Sequence, residues 1–143
     1  MKKLLAIVVL GLLWNNSAFA QNLMLSCSFD KVFFMDWKEQ KFGKTYKQSD
    51  LADNYDDIYV EINFSGNNLN SFRTNYNLLT KMEDAVIDDA YFIIRYKPNP
   101  KGIYQKIYID RYTGTLKTIM RKKGEEGYEL SHFYNCQKKA KKF

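Results

Sequence analysis

The sequence contains few of the residues on which catalytic and metal sites usually depend. It has one histidine, His132, and two cysteines, Cys27 and Cys136, so a zinc site would need carboxylates that no spacing in the chain suggests. It also lacks a glycine-rich phosphate loop, a Gly-x-Ser-x-Gly nucleophile motif and a His-x-x-x-His pair. We therefore predict no catalytic residue, no metal site and no cofactor.

Long hydrophobic runs are also scarce, since the sequence has one, at its N-terminus. Two lysines precede an apolar segment over residues 4–14, and small residues follow up to Ala20. This order is typical of a secretory signal peptide over residues 1–20, which we predict to be cleaved after Ala20. The run is too short for a permanent membrane anchor and no second one follows it. We therefore expect residues 21–137 to form one periplasmic or extracellular domain without a transmembrane segment.

The formal net charge of +6 does not come from this domain. Six of the lysines lie in the signal segment and in residues 138–143, and the residues between carry equal numbers of basic and acidic side chains. We expect residues 138–143 to be a solvated basic tail, with weak contact to anionic surfaces as the alternative. A nucleic-acid partner is not expected.

Apolar and polar residues alternate with period two through most of the domain, which is typical of half-buried strands. The predicted strands cover residues 23–29, 58–64, 69–76, 91–97, 103–110, 116–120 and 128–136. Residues 38–57 are predicted to form a long loop or a short helix, and residues 77–89 an irregular strand, with a short helix as the alternative. The predicted fold class is all-β, an antiparallel meander of about seven or eight strands that forms a half-barrel or a small sandwich.

The two cysteines lie near opposite ends of the domain, on the apolar sides of the first and last predicted strands. An exported protein enters an oxidising compartment, so we predict a disulfide between Cys27 and Cys136. In the chain-entropy model, closing a loop of about 100 residues stabilises the fold by about 4–5 kcal/mol. The predicted role of the bond is structural.

Aromatic residues are abundant, with eleven tyrosines and ten phenylalanines. Tyr59, Tyr104 and Tyr108 fall opposite the isoleucine faces of their strands, which places their rings on the outer side of the sheet. We interpret these three tyrosines as a tentative ligand-binding surface for sugars, bases or a protein partner. The alternative is that tyrosine is a favoured strand residue, or that a second layer covers the three rings.

His132 and a cluster of four aspartates are each explained by a structural position that requires no catalytic or metal-binding role. His132 falls on the apolar side of the last predicted strand, which favours a core or sheet-edge histidine over a catalytic one. Four aspartates cluster in the predicted loop and lack the glycine and terminal glutamate of a helix-loop-helix calcium site, so a solvated loop is favoured. These aspartates are Asp50, Asp53, Asp56 and Asp57.

Three features together carry a resemblance: Cys27, Cys136 and the segment Ile107-Tyr108-Ile109-Asp110-Arg111-Tyr112-Thr113-Gly114 between them. On these features the chain resembles a group of short exported single-disulfide β-proteins from marine bacteria. The resemblance implies the fold and the location and assigns no activity. A more distant similarity to periplasmic lysozyme inhibitors rests on size and compartment, because the segment Ser65-Gly66-Asn67-Asn68-Leu69 lacks the tyrosine of their loop.

These observations favour a non-enzymatic binding or interaction module of the cell envelope, with an unknown ligand. One alternative is a hydrolase of envelope polymers that uses His132 and a loop carboxylate. A second alternative is a purely structural envelope protein.

Overall fold

A computed structural model describes residues 20–38, 43–52 and 54–139 of the chain. These residues form nine antiparallel strands and one turn of 3-10 helix over Gln48–Asp50. The strands are β1 (Gln21–Asp36), β2 (Lys44–Lys47), β3 (Ile58–Ser65), β4 (Asn68–Thr74), β5 (Met82–Ile87), β6 (Tyr91–Tyr96), β7 (Ile103–Asp110), β8 (Thr115–Lys122) and β9 (Tyr128–Lys138). The predicted signal peptide up to residue 19, Asp53 of the acidic loop and residues 140–143 of the predicted tail lie outside the described residues.

The strands form one sheet in the order β4-β3-β1-β9-β8-β7-β6-β5, with β2 paired to β1. Strands β5 to β9 make a meander, and β1 lies between β9 and the β3–β4 hairpin. The two outermost strands, β4 and β5, come into contact, so the sheet curls into a nearly closed barrel. The predicted all-β antiparallel fold is confirmed, in its barrel-like form rather than as a sandwich.

The interior of the barrel is filled by the alternating apolar residues of the strands. Each inward residue meets an inward residue of the next strand, as in the series Phe92, Ile109, Leu116 and Tyr134 across β6 to β9. Each of these four side chains is exposed by 2% or less, and full burial of one large apolar side chain contributes about 1.5–3 kcal/mol. The buried core comprises Leu25, Cys27, Ile58, Val60, Ile62, Phe64, Ile87, Phe92, Ile94, Tyr96, Ile107, Ile109, Leu116 and Tyr134.

The predicted disulfide between Cys27 and Cys136 is confirmed. The two residues lie directly opposite each other on β1 and β9, with a Cα–Cα distance of 3.9 Å and an S–S distance of 2.03 Å. The bond therefore joins the first strand to the last across 109 residues of sequence.

Strand β1 is longer than its alternation predicts. A bulge between Phe29 and Lys31 inserts an extra residue, so the inward positions shift from Cys27 and Phe29 to Val32. The alternation of apolar and polar residues changes phase at this bulge. The predicted strand over residues 23–29 therefore ends there and does not include the second half of β1. The same edge of β1 pairs with β3 before the bulge and with β2 after it.

The two segments without a clear alternation of apolar and polar residues, 38–57 and 77–89, have different structures. Residues 38–57 contain the four-residue strand β2 and the 3-10 turn, together with loop. The predicted irregular strand in residues 77–89 is confirmed as β5, which pairs with β6 through a register shift between Met82 and Asp84.

Candidate ligand-binding cleft

A cleft of about 450 Å³ opens at one end of the barrel, where β1 begins and where β3, β7 and β9 end. Antiparallel pairing brings these strand ends together, as in the pairs of Gln21 with Phe64 and of Leu25 with Lys138. We call this space the barrel-mouth cleft. It is lined by Gln21, Asn22, Leu23, Met24, Leu25, Phe64, Asp89, Ile109, Asp110, Arg111, Tyr112, Gly114, Cys136, Lys138 and Lys139. Its volume lies within the range of about 300–1,000 Å³ that is typical of small-molecule sites.

The turn over residues 110–114, here called the rim turn, is fixed by its own hydrogen bonds. The Asp110 carboxylate accepts hydrogen bonds from the backbone amides of Tyr112 at 2.9 Å and Thr113 at 3.0 Å. Gly114 closes the turn with a φ of 70°, a left-handed conformation that favours glycine, and its amide donates to the Asp110 carbonyl. The hydrogen bond from the Thr113 amide lowers the pKa of Asp110, so this carboxylate stays ionised while it holds the turn.

A second turn, between β5 and β6, is built in the same way and is joined to the rim turn. The Asp88 carboxylate accepts hydrogen bonds from the amides of Ala90 at 2.8 Å and Tyr91 at 2.6 Å. The Arg111 amide donates to the Ala90 carbonyl at 2.8 Å, and the Arg111 guanidinium donates to the Asp88 carbonyl. The rim of the cleft is therefore preorganised, which reduces the entropy cost of binding.

Arg111 is the cation that the fold places most specifically in the cleft. Its guanidinium lies 4.7 Å from the ring centroid of Phe92 and 5.6 Å from that of Phe64, within cation–π range of both. These two rings pack edge to face at 5.0 Å. No ion pair joins Arg111 to a carboxylate within the described part of the chain. The two aromatic rings and the Asp88 carbonyl thus hold the guanidinium in place, and its charge remains available to an anionic group.

The cleft ends at the mouth of the barrel and does not continue into the interior. Ile109 lines the cleft and is exposed by only 2%, and its cross-strand neighbours Phe92 and Leu116 are exposed by 1% and 0%. The amide of Cys136 donates to the Gly114 carbonyl at 2.8 Å, so the rim turn is tied directly to the disulfide-bonded strand.

A second depression, of about 360 Å³, lies between β1, β3 and β4. We call it the outer groove. It shares Met24, Leu25 and Lys139 with the barrel-mouth cleft. The Lys139 amide donates to the Met24 carbonyl at 2.9 Å, and its ammonium lies 4.0 Å from the ring centroid of Tyr59. The outer groove is lined by Met24, Leu25, Tyr59, Val60, Glu61, Arg73, Thr74, Asn75 and Lys139.

The three tyrosines interpreted as a binding surface do not lie together. Tyr59 and Tyr104 are exposed by 47% and 43%, but three strands separate β3 from β7 in the sheet. Tyr108 is partly buried and packs against Tyr91 at 4.9 Å, while the ammonium of Lys123 lies over the Tyr104 ring. Of the three, Tyr59 is the one that lines a depression connected to the barrel-mouth cleft.

His132 is buried in the core and exposed by only 7%. Its Nδ1 lies 3.4 Å from the Thr118 hydroxyl, and its ring lies 5.0 Å from the Tyr55 ring and 6.3 Å from the Phe29 ring. Burial lowers the pKa of His132, so the imidazole is neutral at neutral pH. Its Nε2 is buried without a hydrogen-bond partner.

The acidic loop shows ordinary loop contacts. The Asp50 carboxylate accepts a hydrogen bond from the Lys47 amide at 2.9 Å, and Asp56 and Asp57 are exposed. Among residues 20–38, 43–52 and 54–139, no group of three or more His, Cys, Asp or Glu side chains is arranged to hold a metal ion.

Comparison with protein-family models, curated proteins and solved structures found no match to this chain. Within the described residues, no helix has the length and apolar character needed to cross a membrane.

Arg111 and Tyr112 were missed as candidate binding residues. Asp110 and Gly114 in the same segment favour a turn. Nothing in the sequence of residues 110–114 indicates that they contact the turn between β5 and β6, because that contact depends on which strands are neighbours in the sheet.

Proposed function

We propose that this protein is a non-enzymatic binding module of the cell envelope and that it holds its ligand in the barrel-mouth cleft. The observation that carries the proposal is the cleft of about 450 Å³ with a rim fixed by hydrogen bonds before any ligand arrives. Export is part of the proposal, and it is supported by the signal-like N-terminus and by the disulfide.

The residues of the cleft favour binding over catalysis. Its lining holds no histidine, and its one cysteine, Cys136, is bonded to Cys27. The Asp110 carboxylate, which has a lowered pKa, already accepts the amide hydrogen bonds of the rim turn and is poorly suited to act as a general base.

The hydrolase alternative lacks support from the position of His132. A catalytic histidine needs a carboxylate or another orienting group and access to a substrate. The contacts of His132 are instead the Thr118 hydroxyl and the aromatic rings of Phe29, Tyr55 and Tyr76.

The proposal is tested by amide chemical-shift mapping on the mature protein, residues 21–143, with a mixed set of small fragments at millimolar concentration. We expect the amides of Arg111, Tyr112 and Gly114 to shift with at least some fragments, and an Arg111→Gln variant to lose the shifts caused by anionic ones. Absence of shifts around the cleft, or shifts confined to other surfaces, would contradict the proposal.

A further inference from the structure

The aromatic ring of Tyr112 lies exposed to solvent at the rim of the barrel-mouth cleft. It is exposed by 80%, more than any other large hydrophobic side chain of the described residues. Its backbone amide donates a hydrogen bond to the Asp110 carboxylate, so the backbone that carries the ring is already ordered. An ordered, exposed ring beside a cleft is suited to stacking against the flat apolar face of a ligand ring.

The surroundings of that ring are polar. Gln21, Asn22 and Asp89 supply amide and carboxylate groups to the same cleft, and these groups pair with hydroxyls. A lipid acyl chain needs an apolar tunnel, and the filled barrel beneath the cleft offers none. A ligand with a flat ring and many hydroxyl groups therefore suits the cleft better than an acyl chain does.

An aromatic ring and a cation occur together at two places along this surface. In the barrel-mouth cleft, Tyr112 follows Arg111 in the chain and both line the cleft, and in the outer groove the ammonium of Lys139 lies 4.0 Å from the centroid of the Tyr59 ring. The two depressions share Lys139, Met24 and Leu25, so they lie next to each other across the start of β1. A repeated pair of ring and cation fits a polymer whose repeating unit is a ring that carries an anionic group.

We infer that the ligand is an acidic oligosaccharide that occupies the barrel-mouth cleft and continues across Lys139 into the outer groove. The inference rests on the proposed function and names the ligand class for the same site. Arg111 pairs with a sugar carboxylate and Tyr112 stacks on that sugar, while Tyr59 and Lys139 hold a later sugar of the chain.

The test is isothermal titration calorimetry on the mature protein with three probes: galacturonic acid, tetragalacturonate and fully methyl-esterified tetragalacturonate. We expect the tetramer to bind at least about tenfold more tightly than the monomer, because a second pair of contacts is engaged without a second loss of translational freedom. The ester should bind about tenfold more weakly than the acid, because it removes the charge-assisted hydrogen bonds.

Two variants separate the two parts of the surface. Arg111→Gln should weaken the binding of monomer and tetramer by about tenfold and leave the binding of the ester unchanged. Tyr59→Ala should remove the advantage of the tetramer and leave the monomer unaffected. Tyr104→Ala is the matched control, because Tyr104 is equally exposed and also lies beneath a lysine, yet lies three strands away from β3.

The possible failures are distinguishable. The inference is overturned if tetragalacturonate does not bind although fragments shift the amides of the cleft, and the proposed function then stands alone. It is also overturned if tetramer and monomer bind equally, or if Tyr59→Ala and Tyr104→Ala have the same effect. If fragments and oligosaccharides both fail to bind, the inference and the proposed function fall together.

Discussion

The two ends of the barrel are held by different kinds of interaction. At the mouth, two turns are held by backbone amides that donate to the carboxylates of Asp88 and Asp110, and charged side chains remain exposed. At the other end, which we call the closed end, the segments before β3 and after β4 place Tyr55 and Tyr76 against His132. One end is ordered by its backbone and left open, whereas the other is ordered by packing and filled.

The closed end also contains buried polar groups that the mouth lacks. Gln105, exposed by 3%, accepts a hydrogen bond from the Leu79 amide at 3.0 Å and donates to the Asn77 carbonyl at 3.1 Å. The Tyr96 hydroxyl and the Nε2 of His132 are buried without partners, and burial raises the pKa of Tyr96 to about 12. The comparison indicates that stability is sensitive to polar substitutions and pH at the closed end, and that binding is sensitive to substitutions at the mouth.

The largest expected effect comes from the disulfide. Replacing Cys27 and Cys136 together by serine should lower the free energy of unfolding by about 2–5 kcal/mol. Because the Cys136 amide donates a hydrogen bond to the Gly114 carbonyl, amide hydrogen exchange should increase more at the rim turn than around His132. Urea denaturation and hydrogen exchange measure the two effects. A double variant as stable as the wild-type protein, or with equal exchange at both ends, would remove the link between the disulfide and the cleft.

A smaller effect is expected at the closed end alone. Gln105→Leu leaves the Leu79 amide and the Asn77 carbonyl without their partner and should cost about 1–3 kcal/mol in urea denaturation. The control is Gln137→Leu on the exposed side of β9, which should have little effect. Fragment binding at the cleft should be unchanged in both variants. Lost binding in Gln105→Leu would show that the two ends are coupled.

The smallest effect is a pH dependence that arises from His132. Its pKa in the folded protein is lowered by burial, so below pH about 6.5 the unfolded chain binds more protons than the folded one. The free energy of unfolding should therefore decrease as the pH falls from about 6.5 to 5. His132→Leu should flatten this slope, which urea denaturation at several pH values measures. An unchanged slope in this variant would assign the pH dependence to another group.

Much of the fold was predictable because its strands bury one face. On β3 the alternation of Ile58, Val60, Ile62 and Phe64 matches the observed burial at every position. The bulge after Phe29 was not predictable, because one inserted residue changes the face without any special residue type.

The site was less predictable than the fold, because it depends on which strands are neighbours. The outward direction of Tyr59 and Tyr104 follows from period two, but their separation follows from strand order. The turn at Asp110 was visible in its residues, whereas the stacking of Arg111 on Phe64 and Phe92 joins side chains from three different parts of the chain.

The near closure of the sheet also bears on how this protein behaves when it is crowded. Strands β4 and β5 are the two edges of the sheet and lie in contact, so each partly covers the backbone edge of the other. A third edge belongs to β2, which has four residues and a lysine at each end. Short, charged edges discourage intermolecular strand pairing. We therefore expect a chain this rich in β-strands and tyrosines to resist fibril formation while its native fold is intact.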